Sequence, residues 1–457
     1  MTSTAGRLKE YLFFALLGGL LALWNIPHTI AARYLCAGLL LIVVVFSNPD
    51  WKIFFRKNAI LLVFFAYLVF HLLFLSTNFK TAFDNFRAEW MYLILFSILG
   101  AGTGLVISKD RPSRLMLYLG IAFAVPLLIH LGVSLIEGLN RGAIPWGYWG
   151  ISEIHGDLGY TAIHATIFLS VFFLFLAKRA YEKTLALLLL FTCIASPLLA
   201  SSRGGTAFVL ILLITVFSID LAIKFEHKLT LKRQFLGVVV VLMCLIAVIK
   251  IGSAVDPGRW NGVLTRLQMG LKGDPLQVTC EGVGVLKKTL EHEGVFIGPE
   301  ISQALNSIQD GDGARVMTAR TALVLVGANP LGIDQSKEAY QIALSRVCDP
   351  AIRISHAHNG WIDTALAIGI PGAILYFLVL LNFARLGYRS MRLDGVNGAY
   401  AVALFTMSSI WIVRALFDST QRDQMLEMQV FTIAFLYGFI LSNTQAQHVR
   451  LDANPPN

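Results

Sequence analysis

The sequence predicts an all-α polytopic membrane protein with about twelve transmembrane helices and one large periplasmic loop domain. Of the 457 residues, 56% are hydrophobic and only 14% are charged, and the mean hydropathy is +0.67. A soluble domain averages about 25% charged residues. Apolar windows of about 17 to 25 residues, the length that a bilayer core requires, follow one another along the chain. An ordinary soluble protein is therefore excluded.

Twelve apolar windows define the predicted spans. The first window has a weak basic flank and no small-residue cleavage site behind it, so we expect no cleaved signal peptide. The first two windows could instead form one re-entrant hairpin. The predicted spans are residues 10–26, 30–46, 59–75, 90–107, 115–136, 158–177, 184–200, 205–223, 235–251, 360–383, 399–417 and 425–441.

Lys and Arg concentrate in alternate short loops, among them 52–57, 178–183 and 385–392. Loops rich in these residues stay in the cytoplasm. The pattern predicts cytoplasmic N- and C-termini, with residues 443–457 as a cytoplasmic tail. The net charge of +9 is thus a topology signal, and it does not indicate nucleic acid as a partner.

This orientation leaves one large segment outside the membrane, residues 252–358. It separates predicted helices one to nine (1–251) from helices ten to twelve (359–442). Stretches such as "ISQALNSIQ" predict that the segment is mainly helical. It also holds Cys280 and Cys348, whereas the other three cysteines lie in apolar spans. In an oxidising compartment two loop cysteines have one way to pair, so we predict a disulfide.

The stretch "LLASSRGGTAFVLILL" places Arg203 at the outer end of the seventh span, and Gly204 and Gly205 open the eighth. Glycine allows a ligand to approach the backbone, and a helix start offers unpaired N–H groups. The guanidinium fork suits phosphate oxygens. The pattern indicates an anion site at the membrane surface. The alternative is an arginine that snorkels at a helix end.

A second basic candidate lies in "DGDGARVMTARTALVLVGANPLG". Arg315 and Arg320 stand five apart on a predicted helix, so they point in different directions and only one need face a site. Either could equally lie on a solvated helix face. The "DGDG" start is similar to a calcium loop but lacks the later acidic ligands, so no metal site is predicted.

The stretch "SHAHNGWIDTALAIGIPG" places His356, His358 and Asn359 directly before the tenth span, on its outer side. Ser355 or Asn359 can cap the helix. A helix N-terminus disfavours imidazolium, which keeps a nearby histidine neutral and able to accept a proton. The simpler alternative is that these residues form only a polar cap.

These motifs, in this order, resemble the O-antigen ligase and polymerase superfamily of bacterial membrane glycosyltransferases. The matching features are "SSRGG", an Arg-bearing loop helix that runs into "NPLG", and "HAHNGWIDTALAIGIPGAILYF". The length and the single large loop are most similar to O-antigen ligases. The resemblance implies transfer of O-antigen from undecaprenyl diphosphate to a sugar of the lipid A core. That reaction takes place at the periplasmic face of the bacterial inner membrane, among membrane lipids, without a metal, a nucleotide sugar or another cofactor.

The resemblance also assigns roles. The family histidine corresponds to His358, the base that deprotonates the acceptor hydroxyl, with His356 as the second choice. Arg203 corresponds to the first family arginine. The family's second arginine lies in the loop, and its usual spacing to the proline of "NPLG" corresponds to Arg315. Ala319 replaces an aromatic residue that is frequent one turn after that arginine, so Arg320 also remains a candidate. The implied reaction inverts the anomeric configuration. Residues expected to bind substrate are Arg203, Arg315, Arg320, His356, Asn359 and Gly204.

Three alternatives remain from the sequence. An O-antigen polymerase commonly has two sizeable loops, and a protein O-oligosaccharyltransferase usually carries a further C-terminal domain, which this sequence does not predict. A secondary transporter would carry its charges near the membrane midplane. Four ionisable residues in or near the spans have no assigned role at this point, namely His71, His130, His164 and Arg414.

Overall fold

The computed structural model describes residues 4–107, 112–148, 150–152, 157–225, 239, 243, 246–309, 311–393 and 395–453. Every regular element in these ranges is helical. The first ten helices are α1 Thr4–Leu23, α2 Ile30–Phe46, α3 Trp51–Lys57, α4 Ala59–Phe70, α5 Phe79–Asn85, α6 Met91–Val106, α7 Pro112–Arg141, α8 Asp157–Val171, α9 Ala180–Leu199 and α10 Arg203–Phe225. Three π-helical turns extend or join them, at His71–Leu75, Phe86–Trp90 and Phe172–Leu176.

The later helices include a run of short ones and three long ones. They are α11 Ile246–Val255, α12 Pro257–Trp260, α13 Val263–Gly270, α14 Pro275–Glu281, α15 Val283–His292, α16 Pro299–Asn306, α17 Asp312–Ala328, α18 Ala339–Ser345, α19 Gly360–Ser390, α20 Val396–Arg414 and α21 Asp423–Ala453.

Eight helices in the described ranges are long and apolar enough to cross a membrane. They correspond to predicted spans four to eight and ten to twelve. The first three predicted spans are shorter apolar helices, and α2 meets α3 at an angle of 105°, so this pair could count as a ninth span. The predicted span 235–251 lies largely outside the described residues. The structure therefore supports a polytopic helical protein, with eight or nine candidate spans where twelve were predicted.

Close helix contacts occur where glycine replaces a side chain. Gly100 and Gly104, four residues apart on α6, lie directly against the backbone of α21. A Cβ atom on Gly159 of α8 would lie 2.7 Å from the Cα atom of Gly205 on α10. Apolar side chains gain little by leaving lipid for a helix interface, so such close backbone approach supplies much of the packing energy in membranes.

Helix α19 is broken at Gly369, whose φ of 79° and ψ of 164° are not helical. The "NPLG" segment fills the break. The amide of Ile370 donates to the carbonyl of Pro330 at 2.9 Å, and the amide of Ile333 donates to the carbonyl of Leu366 at 2.8 Å. Irregular backbone is tolerated inside a membrane protein where its polar groups are satisfied in this way.

Side chains from the bundle hold the same segment. Nε2 of His71 lies 2.8 Å from the carbonyl oxygen of Leu331. The carboxylate of Asp334 accepts hydrogen bonds from the amide and hydroxyl of Thr77, at 2.6 and 2.8 Å. These contacts give His71 a structural role and attach the region after α17 to the helical bundle.

The segment between α11 and α19 has a small apolar core of its own, formed by Met269, Val278, Leu286, Leu290, Ala304, Leu305, Ile308, Met317 and Ile352. Cys280 and Cys348 are joined by a disulfide, with their Cα atoms 5.9 Å apart. Beside it, the amide of Ala351 donates to the carbonyl of Cys280 at 3.1 Å. The disulfide thus attaches the segment that leads to His356 to α14.

Candidate active site

The candidate site lies at the end of the bundle where α8, α10, α19 and α21 begin and α20 ends. The amide of Gly360, the first residue of α19, donates to the carbonyls of Ala415 and Asp418 at 2.7 and 3.0 Å. The hydroxyl of Tyr160, on the first turn of α8, donates to the carboxylate of Asp418 at 2.7 Å. Helix ends that are far apart in the sequence therefore meet at one level.

Asn359 caps α19; the sequence had left Ser355 and Asn359 as the two candidates for this cap. Its Oδ1 accepts hydrogen bonds from the amides of Trp361 and Ile362, both at 3.1 Å, and its Nδ2 donates to the carbonyl of Leu416 at 3.1 Å. Such a cap satisfies amides that the helix itself leaves unpaired. The side chain is therefore committed to holding the start of α19.

The imidazoles of His356 and His358 lie with their ring centroids 4.2 Å apart. Nδ1 of His356 lies 2.6 Å from the hydroxyl of Ser355. Nδ1 of His358 is buried and has no hydrogen-bond partner within the described part of the chain. His358 also has a φ of 53°, in a region that non-glycine residues seldom occupy. The two rings therefore lie side by side but differ in their hydrogen bonds.

Both imidazoles are neutral at pH 7. Burial, together with the nearby positive charges of Arg422 and Arg315, lowers the pKa of His356 to about 4. Burial, His356 and Arg315 also lower the pKa of His358. A neutral imidazole offers a nitrogen lone pair that can accept a proton.

Arg315 on α17 is the loop arginine whose charge reaches this pair. Its charge acts on His356, His358 and Asp418. Its guanidinium is exposed and makes no hydrogen bond to any described residue. It can therefore offer its fork to an anion beside the histidines.

Arg320 lies on another face of α17, as the spacing of five residues predicted. Its guanidinium donates to the carbonyls of Gly270, Lys272 and Gly273, at 3.1, 3.2 and 2.9 Å. The first carbonyl belongs to the last residue of α13, and the other two belong to the turn that follows this helix. The contacts favour a structural role for Arg320.

Arg203 begins α10 and pairs with Asp312, the first residue of α17. Its Nη1 and Nη2 lie 3.1 and 2.6 Å from the two carboxylate oxygens. Arg266 contacts the same carboxylate through Nε at 3.1 Å and Nη2 at 3.0 Å. Burial acts to raise the pKa of Asp312, but the two guanidinium groups outweigh it and lower the pKa. The carboxylate is therefore ionised between two arginines.

Gly204 lies against Arg414, a residue to which the sequence assigned no role. A Cβ atom at Gly204 would lie 3.2 Å from Nη1 of Arg414. Arg414 pairs with Asp418 at 3.1 Å, and its guanidinium lies over the rings of Tyr160 and Phe208, at 5.0 and 4.6 Å from their centroids. Gly204 thus gives room to a buried cation that joins α10 to the turn before α21.

Asp418 completes the network. Burial acts to raise its pKa, but the charges of Arg414 and Arg315 and the hydrogen bond from Tyr160 lower it overall. An ionised carboxylate therefore lies close enough to His358 for each to affect the other's pKa. The sequence carried one signal of this network, because Arg414 is a charged residue at a span end with Asp418 four residues later.

Two other residues of the site, Asp312 and Arg266, were harder to identify from the sequence. Asp312 belongs to the "DGDG" stretch, for which the sequence predicted no metal site and no other role, and Arg266 has no distinguishing sequence context. His130 and His164 are buried in the bundle. His130 lies 2.8 Å from the Ser196 hydroxyl, and His164 lies 3.0 Å from the Tyr160 carbonyl.

Helical spans, with a cluster of arginines and histidines at one end of them and an attached loop region, define a polytopic membrane protein with a candidate active site. Residues 185–377 match the family model described as O-Antigen ligase. This match supports a relation of residues 185–377 to the O-antigen ligase superfamily, a glycosyltransferase-like enzyme family. The matched range includes Arg203, Arg315 and His358. A comparison with curated proteins gave no significant match.

Proposed function

We propose that the protein transfers O-antigen polysaccharide from undecaprenyl diphosphate to a sugar of the lipid A core, at the periplasmic face of the inner membrane. The observation that supports this proposal is the neutral His356–His358 pair, whose pKa values the charge of the exposed Arg315 helps to lower. A base and an anion-binding group at one place are what transfer from a lipid diphosphate requires.

In the proposed reaction His358 accepts the proton of the acceptor hydroxyl. The hydroxyl oxygen forms a bond to the anomeric carbon of the donor glycan, and the bond from that carbon to the diphosphate oxygen breaks. A hydroxyl is a poor nucleophile at neutral pH, so the base matters. The lipid diphosphate leaves as an anion, and it needs charge stabilisation more than a proton. Arg203 and Arg315 supply that stabilisation, and direct displacement inverts the anomeric configuration.

The test is reconstitution of the purified protein with glycan linked to undecaprenyl diphosphate and with lipid A core, with and without a chelator. We expect transfer in both cases and its loss in the His358→Ala and Arg203→Ala variants. Arg353→Ala is a matched control, because Arg353 is an exposed loop arginine. Normal transfer by both site variants would reject the proposal.

The same mixtures separate the alternatives. Extension of the lipid-linked glycan without lipid A core would indicate a polymerase, and transfer to an added protein would indicate an oligosaccharyltransferase. Uptake of a solute into vesicles, without any transfer, would indicate a transporter.

A further inference from the structure

The paired arginines around Asp312 resemble an occupied anion site. The carboxylate receives four nitrogen contacts of 2.6 to 3.1 Å from Arg203 and Arg266. Two forks that converge on two oxygens form the arrangement by which arginines bind phosphate. The side chains of Arg203, Arg266 and Asp312 are 24%, 9% and 14% exposed, so the site is sheltered but open to solvent.

Arg266 is held in place independently of Asp312. Its Nη1 donates to the carbonyls of Gly258 and Asn261, at 3.2 and 2.6 Å. Its Nε and Nη2 remain directed at the carboxylate. A guanidinium fixed in this way loses little conformational entropy when another anion replaces the carboxylate.

We propose that Arg203 and Arg266 together bind a phosphate of the donor diphosphate, and that Asp312 occupies this two-arginine site while no donor is bound. The proposal rests on the proposed function, because it takes the donor to be a lipid diphosphate. Asp312 also lies three residues before Arg315 on α17. Its displacement would therefore link donor binding to the position of the helix that carries Arg315.

The test measures binding of undecaprenyl diphosphate without a glycan to the full-length protein in lipid nanodiscs. Asp312→Asn removes the carboxylate charge that competes with the phosphate for the two arginines, so we expect binding about 3- to 10-fold tighter. Arg266→Gln should weaken binding about 10-fold or more, the scale of a lost charge-assisted hydrogen bond. Asp349→Asn, the same change at an exposed loop aspartate, should leave the affinity unchanged.

The double variant decides what Arg266 does. If Arg266 contacts the phosphate, Arg266→Gln weakens binding in the Asp312→Asn background as well. If it only holds Asp312, the second change has no effect there. Undecaprenol, which lacks phosphate, should bind every variant equally. If Arg266→Gln does not fold, Arg266→Lys keeps the charge but loses the fork, and it should bind with intermediate affinity.

Equal or weaker binding by Asp312→Asn, or unchanged binding by Arg266→Gln, would overturn this inference. Failure of the proposed function has a different signature, because the binding assay contains no acceptor. Binding that responds to Asp312 and Arg266 in a protein that transfers no glycan would keep the anion site and reject the transferase. Glycan transfer by the wild type, with the same donor affinity in all variants, would keep the transferase and reject the two-arginine anion site.

Discussion

The ring of His358 lies against that of His356, with centroids 4.2 Å apart. Among the described residues, Nδ1 of His356 has a hydrogen-bond partner, the hydroxyl of Ser355, and Nδ1 of His358 has none. This difference favours His358 as the base. We expect His358→Ala to lower the transfer rate by about 10²- to 10⁴-fold, the usual contribution of a general base. His356→Ala should have a smaller effect.

His292→Ala is the control for these variants, since His292 is exposed at the end of α15. Rates of glycan transfer with saturating donor and acceptor provide the measurement. A larger loss in His356→Ala than in His358→Ala would reverse the assignment of the two rings.

The lowered pKa values of the pair predict an unusual pH dependence. An unperturbed histidine has a pKa of about 6.5, whereas that of His356 is about 4 and that of His358 is also lowered. The base therefore stays neutral below pH 6.5, and we expect the rate of transfer to hold as the pH falls from 7 towards 5. A pH–rate profile whose acid limb has its midpoint near 6.5 would contradict this.

The same lowered pKa values predict that the protein becomes less stable at acid pH. As the pH falls below about 6.5, the histidines become protonated in the unfolded chain but stay neutral in the folded protein. The free energy of unfolding therefore decreases down to about pH 4. Unfolding midpoints in detergent, measured across this range, should fall. The fall should be smaller in a variant with both His356→Ala and His358→Ala, and an equal fall in that variant would show that other groups are responsible.

Arg315 and Arg320 should give different defects. Arg315→Ala should reduce transfer and leave the unfolding midpoint unchanged, because its side chain makes no hydrogen bond to the described residues. Arg320→Ala should destabilise the loop region by about 1–3 kcal/mol, since it leaves backbone carbonyls without their donors. Thermal unfolding and transfer rates, measured on both variants, check this. Wild-type transfer by Arg315→Ala would remove its proposed phosphate role.

The disulfide between Cys280 and Cys348 should position the chain that leads to His356. Cys280→Ser with Cys348→Ser should lower stability by about 2–4 kcal/mol, increase protease cleavage between α11 and α19, and reduce transfer. Cys193→Ser, at a buried cysteine outside the disulfide, tests for a general effect of a change from cysteine to serine. Reductant should impair the wild type and have no further effect on the double variant. Full activity in the double variant would exclude a positioning role.

Hydropathy and motif position accounted for much of this protein. Eight of the predicted spans are found as helices of sufficient length, because an apolar run of that length is a local property of the chain. Arg203 and His358 were placed at helix starts for the same reason. The first three spans were harder to judge, since apolar helical stretches of 17 residues or fewer can be bent or incomplete spans.

Other features depend on contacts between distant parts of the chain. The sequence predicted an unbroken span over 360–383, and only the folded chain brings Pro330 to the break at Gly369 of α19. The spacing of Arg315 and Arg320 showed that they diverge, whereas their surroundings decide which one faces the histidines. Asp312 reaches Arg203 across 109 positions of sequence. Such pairings depend on how helices pack and on where buried charges find partners, and a local pattern of residue types does not encode either.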